Sequence, residues 1–218
     1  VFILPRVVVQ NDALLPGEPD AVQFDWMMQF VKKNFQVLPF GEAVSLLNSG
    51  KLPAAAASIT FDDGYQDNFS VAMPILQRHG LIGTFFISTG FLNGGRMWND
   101  DIIEAIRASP NAVVDWSEFG LDQYDLTTHQ GRVLAINTAL GKLKYFPHME
   151  RKVIAREIAH RSGIPGNSTL MMSSDEVRLL RAAGMELGAH THSHPILSDL
   201  SEREAESEIA QGKAELEA

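Results

Sequence analysis

The sequence predicts an α/β protein in which short parallel strands alternate with helices. β-favouring runs are separated along the chain by segments of helical periodicity, and strand, helix, strand at this spacing is typical of parallel βαβ units. Acidic and histidine residues follow two of the predicted strands directly, at 62–63 and 190–194. α/β folds place their functional residues at strand ends of this kind. The composition has no internal break, and 45% of the 218 residues are hydrophobic, which is ample for a core.

Five segments are predicted to be parallel strands. The first is interrupted by Pro5, which has no N–H group to donate to a neighbouring strand. Those at 57–62 and 83–88 are apolar and β-favouring enough to be buried. The five segments are residues 1–9, 36–39, 57–62, 83–88 and 185–190.

The segments between these predicted strands have helical periodicity and are predicted to be helices. Ser201 opens the last helix with a capping box to Glu204, and the acidic residues of that helix are predicted to form a solvated face. Neither Gly nor Pro ends this helix before Ala218. Residues 111–172 are predicted to be a largely helical insertion. The predicted helices lie at 22–31, 42–48, 71–79, 98–107, 131–143, 149–160, 174–183 and from 202 onward.

Composition excludes several classes of partner and site. A net charge of −9 argues against nucleic acid and against an anionic membrane surface, because either would repel the chain. The absence of cysteine excludes disulfides and thiolate metal sites and is compatible with either the cytoplasm or the periplasm. No signal peptide and no apolar run of roughly 18–20 residues is found in this chain. A cytoplasmic or cell-envelope location is therefore expected.

The first functional motif is the pair Asp62 and Asp63 at the end of a predicted buried strand. Because side chains alternate along a strand, two neighbouring carboxylates can share one pocket only if the backbone turns between or just after them. Gly64 is predicted to supply that turn, since a residue without a Cβ tolerates positive φ. The alternative is that one aspartate caps the next helix and the other is solvated. Capping accounts for one carboxylate but hardly for two.

The second motif places His190, His192 and His194 two residues apart. Imidazoles are poor packing residues because each buried ring leaves polar nitrogens to satisfy. All three rings would share a face if the segment were extended, and only the first and third if it were helical. Imidazole nitrogens and carboxylate oxygens are suitable ligands for a borderline cation such as zinc. The two motifs together predict a site with one carboxylate and two histidines on a metal and a second carboxylate free.

These motifs resemble those of the polysaccharide deacetylases with a NodB-homology domain, carbohydrate esterase family 4. Thr-Phe-Asp-Asp-Gly at 60–64 is similar to the first family motif and His-Thr-His-Ser-His-Pro at 190–195 to the second. Further phrases are similar to the branch associated with bacterial exopolysaccharide synthesis, which implies a bacterial origin. These phrases are Leu52-Pro53, Ala72-Met73-Pro74-Ile75-Leu76, Gly83-Thr84-Phe85-Phe86-Ile87, Met97-Trp98-Asn99-Asp100 and Gly184-Met185-Glu186-Leu187-Gly188.

For the fold, the resemblance implies a (β/α) barrel of the distorted seven-stranded deacetylase type. Residues 1–218 would form a single NodB-like domain with the insertion at 111–172. The later family motifs are not found in the 218 residues, so the barrel is expected to be incomplete at its C-terminal side. Open sheet edges and uncovered apolar faces make self-association an expected property.

For the chemistry, the resemblance implies hydrolysis of N-acetyl groups on an N-acetylhexosamine polysaccharide. Asp62 would be the catalytic base, and the backbone N–H of Tyr65 would stabilise the oxyanion. Trp98 would stack on a sugar ring beside Asp100, although a packed Trp next to a helix cap at Asn99 or Asp100 is the alternative reading. The ligands of a divalent metal, expected to be Zn²⁺, would be Asp63, His190 and His194.

Two departures from the family pattern keep other hypotheses open. Leu4-Pro5-Arg6-Val7 stands where relatives commonly carry Tyr-His-Arg-Val, so a pocket histidine is replaced by Pro5. The acid histidine and the base-orienting arginine of the family belong to motifs that these 218 residues lack, and His192 is a poor substitute. The alternatives are a non-catalytic or truncated metal- and glycan-binding module and a fragment of an active enzyme.

Overall fold

The computed structural model describes all 218 residues, and the chain forms two compact units. The first unit contains residues 1–12, 16–95 and 169–218, and the second contains residues 13–15 and 96–168. The second unit includes most of the segment predicted to be an insertion. The boundaries of a single deacetylase domain stay a prediction.

Eight strands and eight α-helices make up the chain. The strands are β1 (Phe2–Leu4), β2 (Gln36–Val37), β3 (Ala56–Ala57), β4 (Ile59–Phe61), β5 (Gly83–Ile87), β6 (Val113–Asp115), β7 (Gln123–Asp125) and β8 (Glu186–Ala189). The helices are α1 (Ala21–Asn34), α2 (Phe40–Asn48), α3 (Met73–His79), α4 (Trp98–Ala108), α5 (His129–Leu143), α6 (His148–Arg161), α7 (Ser174–Ala182) and α8 (Glu202–Glu217). A π-helical turn at Asn68–Ala72 leads into α3.

The central sheet of the first unit confirms the predicted parallel α/β arrangement. Its strand order is β1-β4-β5-β8, and every neighbouring pair is parallel. The closed barrel is not confirmed, because the sheet is open and has β1 and β8 as its edges. The register aligns the C-terminal ends of β4, β5 and β8, so the residues that follow them meet at one end of the sheet.

Two strand predictions need correction. The segment 1–9 forms a strand only over β1, and its last ladder bond is the one that the Leu4 carbonyl accepts from Asp62. The Pro5 carbonyl instead accepts a hydrogen bond from the Asn68 side chain, and Val8 makes a single bridge to Asp20. The segment 36–39 does not join the central sheet, and β2 instead pairs with β3 in a separate two-stranded parallel sheet. Strand β2 is short because the chain enters helix α2 at Phe40, with Pro39 as the N-cap.

The core of the first unit lies between the sheet and its helices. Phe61 and Phe85 stack at a centroid distance of 4.5 Å on neighbouring strands. Phe24 and Met28 of α1 are fully buried in the same cluster. Burial of large side chains, each contributing roughly 1.5–3 kcal/mol, stabilises the strands whose ends carry the predicted site.

The second unit has its own core and an antiparallel strand pair. Strand β6 pairs with β7, and the helices α4, α5 and α6 pack around residues such as Ile102, Ile106 and Leu143. A buried ion pair joins Arg96 to Asp101 at 2.5 Å. None of the helices of the protein combines the length and the apolar character needed to cross a membrane.

Helix capping follows the predictions only in part. The capping box of Ser201 and Glu204 at the start of α8 is confirmed. The sequence also predicts Ser174 as the cap of α7, but the cap is Ser173 and Ser174 is the first helical residue. The N-cap of α4 is Met97, which makes no side-chain capping bond, so the prediction that Asn99 or Asp100 caps this helix was wrong.

Candidate active site

Asp62 and Asp63 lie on a sharp turn immediately after β4. The N–H of Gly64 donates to the carbonyl of Asp62 at 2.9 Å, and Asp63 between them has φ +73°. This hydrogen bond and this φ are those of the rare, strained γ-turn. Gly64 has φ +92°, as predicted for a turn glycine. The structure adds that Asp63 itself adopts the left-handed conformation, a strain that tends to concentrate at functional sites.

The neighbouring backbone holds this turn from several sides. The carbonyl of Asp63 accepts the N–H of Ser88 at 3.1 Å, just beyond β5. The carbonyl of Gly64 accepts the N–H of Met172 at 3.0 Å, and Gln66 donates to Leu170 at 2.8 Å. A Cβ added to Gly64 would lie 3.2 Å from Cγ2 of Ile87. The strained turn is therefore fixed by main-chain contacts on both sides and by close packing.

The loop that carries the three histidines, residues 190–194 and here called the histidine loop, begins where β8 ends. The N–H of His190 donates to the carbonyl of Ile87 at 2.8 Å, and Ser88 Oγ donates to the carbonyl of His190 at 2.9 Å. Thr191 has φ +64° and His194 has φ +54°. The loop is thus neither extended nor helical, and the three imidazoles do not share a face.

The loop brings two of its histidines to Asp63. Nε2 of His194 lies 3.2 Å from Oδ1 of Asp63, and Nε2 of His190 lies 3.6 Å from the same oxygen. One donor atom from each of the three residues lies within 4.8 Å of the others. Bonds of about 2.0–2.2 Å to a tetrahedral ion place neighbouring donors roughly 3.3–3.5 Å apart. The three side chains therefore fit a divalent cation such as zinc by donor type and by spacing.

A pocket of about 240 Å³ opens beside these histidines. The imidazoles are about one-third exposed, whereas the Asp63 side chain is only 14% exposed. The two imidazoles thus line an accessible depression, and Asp63 is the most buried of the three donors. Residues lining the pocket are Ala189, His190, Thr191, His194, Pro195, Leu197 and Ile209.

Asp62 lies outside the donor cluster but within its electrostatic reach. Burial raises the pKa of Asp62, and the charge of Asp63 adds to that effect, while the charges of His190 and His194 oppose it. The net direction is upward from the ordinary value of 3.8. Burial of a carboxylate favours its protonated form and makes it a stronger proton acceptor. One carboxylate thus faces the two histidines, while burial raises the pKa of its neighbour.

His192 is placed apart from the other two histidines. Its Nδ1 lies 2.9 Å from Oε2 of Glu215 in α8 and 3.3 Å from Oγ1 of Thr89. The loop thus separates the middle imidazole, which contacts a helix, from the outer two, which contact Asp63.

The side chain of Tyr65 is 3% exposed. The guanidinium of Arg6 lies 4.6 Å from the centre of its ring. Tyr65 also forms an isolated antiparallel bridge with Met171. The tyrosine side chain thus supports the turn, and an oxyanion contact from the Tyr65 backbone stays a prediction.

Trp98 and Asp100 belong to the second unit, at the start of α4. The guanidinium of Arg151 lies 4.9 Å from the centre of the Trp98 ring, which packs against the core of that unit. Asp100 is only 2% exposed. The tryptophan thus has a packing role, and substrate contacts of either residue stay a prediction.

Sequence reasoning missed three charged residues near the site: the ion pair of Arg6 with Asp67, and Glu208. Arg6 binds Oδ2 of Asp67 through Nε at 2.9 Å and Nη2 at 2.6 Å. Burial raises the pKa of Asp67 and outweighs the opposing effect of Arg6. Glu208 of α8 contacts the backbone of the histidine loop, although its helix was predicted to present a solvated acidic face. Arg6 and Asp67 lie 61 residues apart in the chain, and Glu208 lies 16 residues from His192 and 15 from Ser193. No local sequence pattern could therefore have revealed these contacts.

The parallel sheet carries an aspartate–histidine cluster at its strand ends, and the sequence comparison identifies the family. The family model described as polysaccharide deacetylase matches residues 49–129 and 145–218, which is more than half of the chain. The protein belongs to the polysaccharide deacetylase family.

A curated relative gives a local match. The Bacillus subtilis (strain 168) protein YxkH, to which polysaccharide deacetylase activity is provisionally ascribed, is 37% identical over 67 residues. This alignment covers 30% of the present chain and 24% of YxkH.

Two solved structures share the fold. The Streptococcus pyogenes deacetylase PplD in complex with acetate matches with a TM-score of 0.58 and 17% identity, over 99% of this chain and 68% of that one. IcaB from Ammonifex degensii matches with a TM-score of 0.56 and 16% identity, over 99% of this chain and 67% of that one. The α/β architecture is therefore similar to that of the deacetylase PplD and to that of IcaB.

Proposed function

We propose that this protein is a metal-dependent hydrolase that removes N-acetyl groups from an N-acetylhexosamine polysaccharide and releases acetate. The observation that carries the proposal is the convergence of Asp63, His190 and His194 next to Asp62. Membership of the polysaccharide deacetylase family supports the reaction class. The substrate class covers exopolysaccharide, chitin-like and peptidoglycan glycans, of which an exopolysaccharide is favoured by the phrases around 72–76 and 184–188.

Asp63, His190 and His194 would hold the divalent cation, with Zn²⁺ as the expected ion. Two imidazoles and one carboxylate are a ligand set known from catalytic zinc sites, which keep a further position open. When bound there, such an ion supplies Lewis acidity, which polarises an acetyl carbonyl and makes water more acidic. The accessible pocket beside the histidines leaves room for an acetamido group.

Asp62 would act as the general base. It accepts a proton from the attacking water, the water oxygen bonds to the acyl carbon, and the carbon–nitrogen bond then breaks. The leaving nitrogen takes up one proton and departs as the amine, while the acyl group leaves as acetate. The Tyr65 backbone N–H is proposed to donate to the oxygen that gains negative charge in the transition state.

The acetate in the PplD structure supports the proposed release of acetate. Acetate is the product that the proposed reaction would leave, and the PplD fold matches nearly the whole of this chain. Trp98 and Asp100 are proposed to contribute to sugar binding, since an aromatic ring suits the apolar face of a hexose. A place in the bacterial cytoplasm or cell envelope and a capacity to self-associate also stay predictions.

A second candidate function is a metal- and glycan-binding module without turnover. It is favoured by Pro5, which stands where relatives carry a histidine and whose carbonyl accepts a hydrogen bond from Asn68 at 3.2 Å. It is also favoured by His192, whose Nδ1 contacts Glu215 rather than the pocket. These observations leave the acid for the leaving amine unassigned among the residues of the site.

Acetate release from N-acetylglucosamine oligomers tests both candidates. The Zn²⁺-loaded protein is compared with the Asp62→Asn variant at equal metal content. Removal of a positioned base is expected to lower the rate by roughly 10²–10⁴-fold without emptying the metal site. A wild-type protein that binds the oligomers and Zn²⁺ but releases no acetate would establish the binding module. Equal rates for the two proteins would exclude Asp62 as the base.

A further inference from the structure

The segment Thr191–Ser193 joins the two histidines assigned to the metal and is conformationally strained. Thr191 and His194 both adopt positive φ although neither is glycine. Such conformations persist only where surrounding contacts determine them. On the side of β5, the N–H groups of Thr89 and Gly90 donate to the carbonyls of Thr191 and His192 at 3.4 and 2.9 Å. On the other side β8 is an edge strand and has no sheet neighbour. Something else must fix the loop from the other side.

Glu208 of α8 binds two successive backbone N–H groups of this loop. Its Oε2 accepts the N–H of His192 at 3.0 Å and the N–H of Ser193 at 2.7 Å. Its Oε1 accepts the hydroxyl of Ser193 at 2.6 Å. Successive N–H groups that converge in this way form an anion-binding nest, and bonds to a carboxylate are among the stronger hydrogen bonds. Both oxygens of Glu208 are engaged by the loop and serve to hold it.

Two more residues on the same face of α8 contact the loop. A Cβ added to Gly212 would lie 2.7 Å from the carbonyl oxygen of Thr191, so only glycine permits this approach. Oε2 of Glu215 lies 2.9 Å from Nδ1 of His192. Residues 208, 212 and 215 are spaced i, i+4 and i+7, which places them on one face of a helix. These three contacts account for every residue of the strained segment.

We propose that this face of α8 positions the histidine loop for metal binding and that Glu208 is its main positioning residue. The inference rests on the proposed function, because it takes His190 and His194 as metal ligands. Glu208 acts through the backbone of His192 and Ser193, which fixes where the neighbouring ligand imidazoles point. Partners that orient ligands in this way affect metal affinity without contacting the ion.

Zn²⁺ affinity, measured by competition with a chromophoric chelator, tests the role of Glu208. Glu208→Ala is expected to weaken Zn²⁺ binding by roughly 10-fold or more and to change the visible spectrum of bound Co²⁺, which reports ligand geometry. Glu208→Gln keeps a carbonyl oxygen for the two N–H groups and is expected to retain most of the affinity. Glu206→Ala is the matched control, because it removes an exposed acidic residue from the same helix. It should leave both readouts unchanged.

A glycine pair tests the close approach independently. Gly212→Ala places a methyl group against the Thr191 carbonyl and is expected to weaken Zn²⁺ binding. Gly141 lies in α5, and a Cβ added there meets nothing within 4 Å. Gly141→Ala therefore adds the same methyl group in open space and should leave the Zn²⁺ affinity unchanged. Thermal unfolding of each variant shows whether it is folded.

The outcomes separate this inference from the proposed function. Folded Glu208→Ala that binds Zn²⁺ as tightly as wild type and gives the same Co²⁺ spectrum would overturn the inference alone. A wild-type protein that binds neither ion would overturn the metal site itself, and the inference would fall with it. If Glu208→Ala does not fold, Gly212→Ala decides, and wild-type affinity and spectra in that variant would refute the role of α8.

Discussion

The turn after β4 and the loop after β8 both follow parallel strands at the same end of the sheet, yet they are supported differently. The turn lies on a central strand between β1 and β5, and backbone groups of Ser88 and Met172 hold it. The loop follows an edge strand: backbone groups of Ile87 and Gly90 hold its inner side, but its outer side is held by the side chain of Glu208. Most substitutions leave a main-chain contact in place, because the backbone groups stay the same. A side-chain contact, by contrast, can be removed by a single substitution. The histidine half of the site should therefore be the more sensitive to changes far away in sequence.

The largest expected effect is on metal content, and it tests whether the two halves form one site. Asp63→Ala, His190→Ala and His194→Ala should each lose nearly all bound Zn²⁺, because three ligands are the minimum of a tight site. The measurement is elemental analysis after dialysis against Zn²⁺-containing buffer. Asp62→Asn and His192→Ala are the controls and should keep their metal. Depletion by His192→Ala would show that the wrong imidazoles were chosen, and depletion by Asp62→Asn would reverse the roles of the aspartates.

The next effect concerns the strained turn after β4. Gly64→Ala should lower the free energy of unfolding by about 2–3 kcal/mol, because it adds left-handed strain and a contact 3.2 Å from Ile87. Gly184→Ala is the matched control, since Gly184 also has positive φ but a Cβ there meets nothing within 4 Å. It should cost only about 1–2 kcal/mol. Chemical denaturation measures both. Equal costs would mean that close packing does not contribute to holding the turn.

A smaller effect is expected from the pH dependence of the loop contact. Burial tends to raise the pKa of Glu208, but hydrogen bonds from Ser193 and His192 and the nearby His192 charge lower it below the ordinary value of 4.5. A carboxyl whose pKa is lowered by folding stabilises the protein above pH 4.5, and this contribution is lost as the pH falls through the folded-state value. The stability gap between wild type and Glu208→Gln should therefore narrow in acid.

Unfolding of both proteins in urea at several pH values measures this gap. Glu215 also contacts His192 and is present in both proteins, so its own titration cancels in the comparison. A gap that stays constant from neutral pH to well below pH 4.5 would show that the Glu208 carboxylate is not what holds the loop.

The helices and the short apolar strands were predictable because their signals are local. Phe61 and Phe85 are β-favouring residues in apolar runs, and the Ser201 and Glu204 capping box lies within one helical turn. The strand at 36–39 was placed in the wrong sheet, because the choice of partner depends on residues 56–57, about 20 positions away. Closure of the barrel could not be judged from alternation alone, since an open parallel sheet shows the same strand and helix pattern.

The sequence by itself determined the chemistry that this protein can carry. Two adjacent aspartates, three spaced histidines and a turn glycine at Gly64 are visible as neighbours in the chain. Only the tertiary structure decided their arrangement: the left-handed φ of Asp63, the pairing of His190 with His194 and the separation of His192. The physical reason is that strained backbone and side-chain direction depend on contacts from distant segments, such as Glu208 on the loop and Ser88 on the turn. Such contacts leave no periodic signal in the sequence.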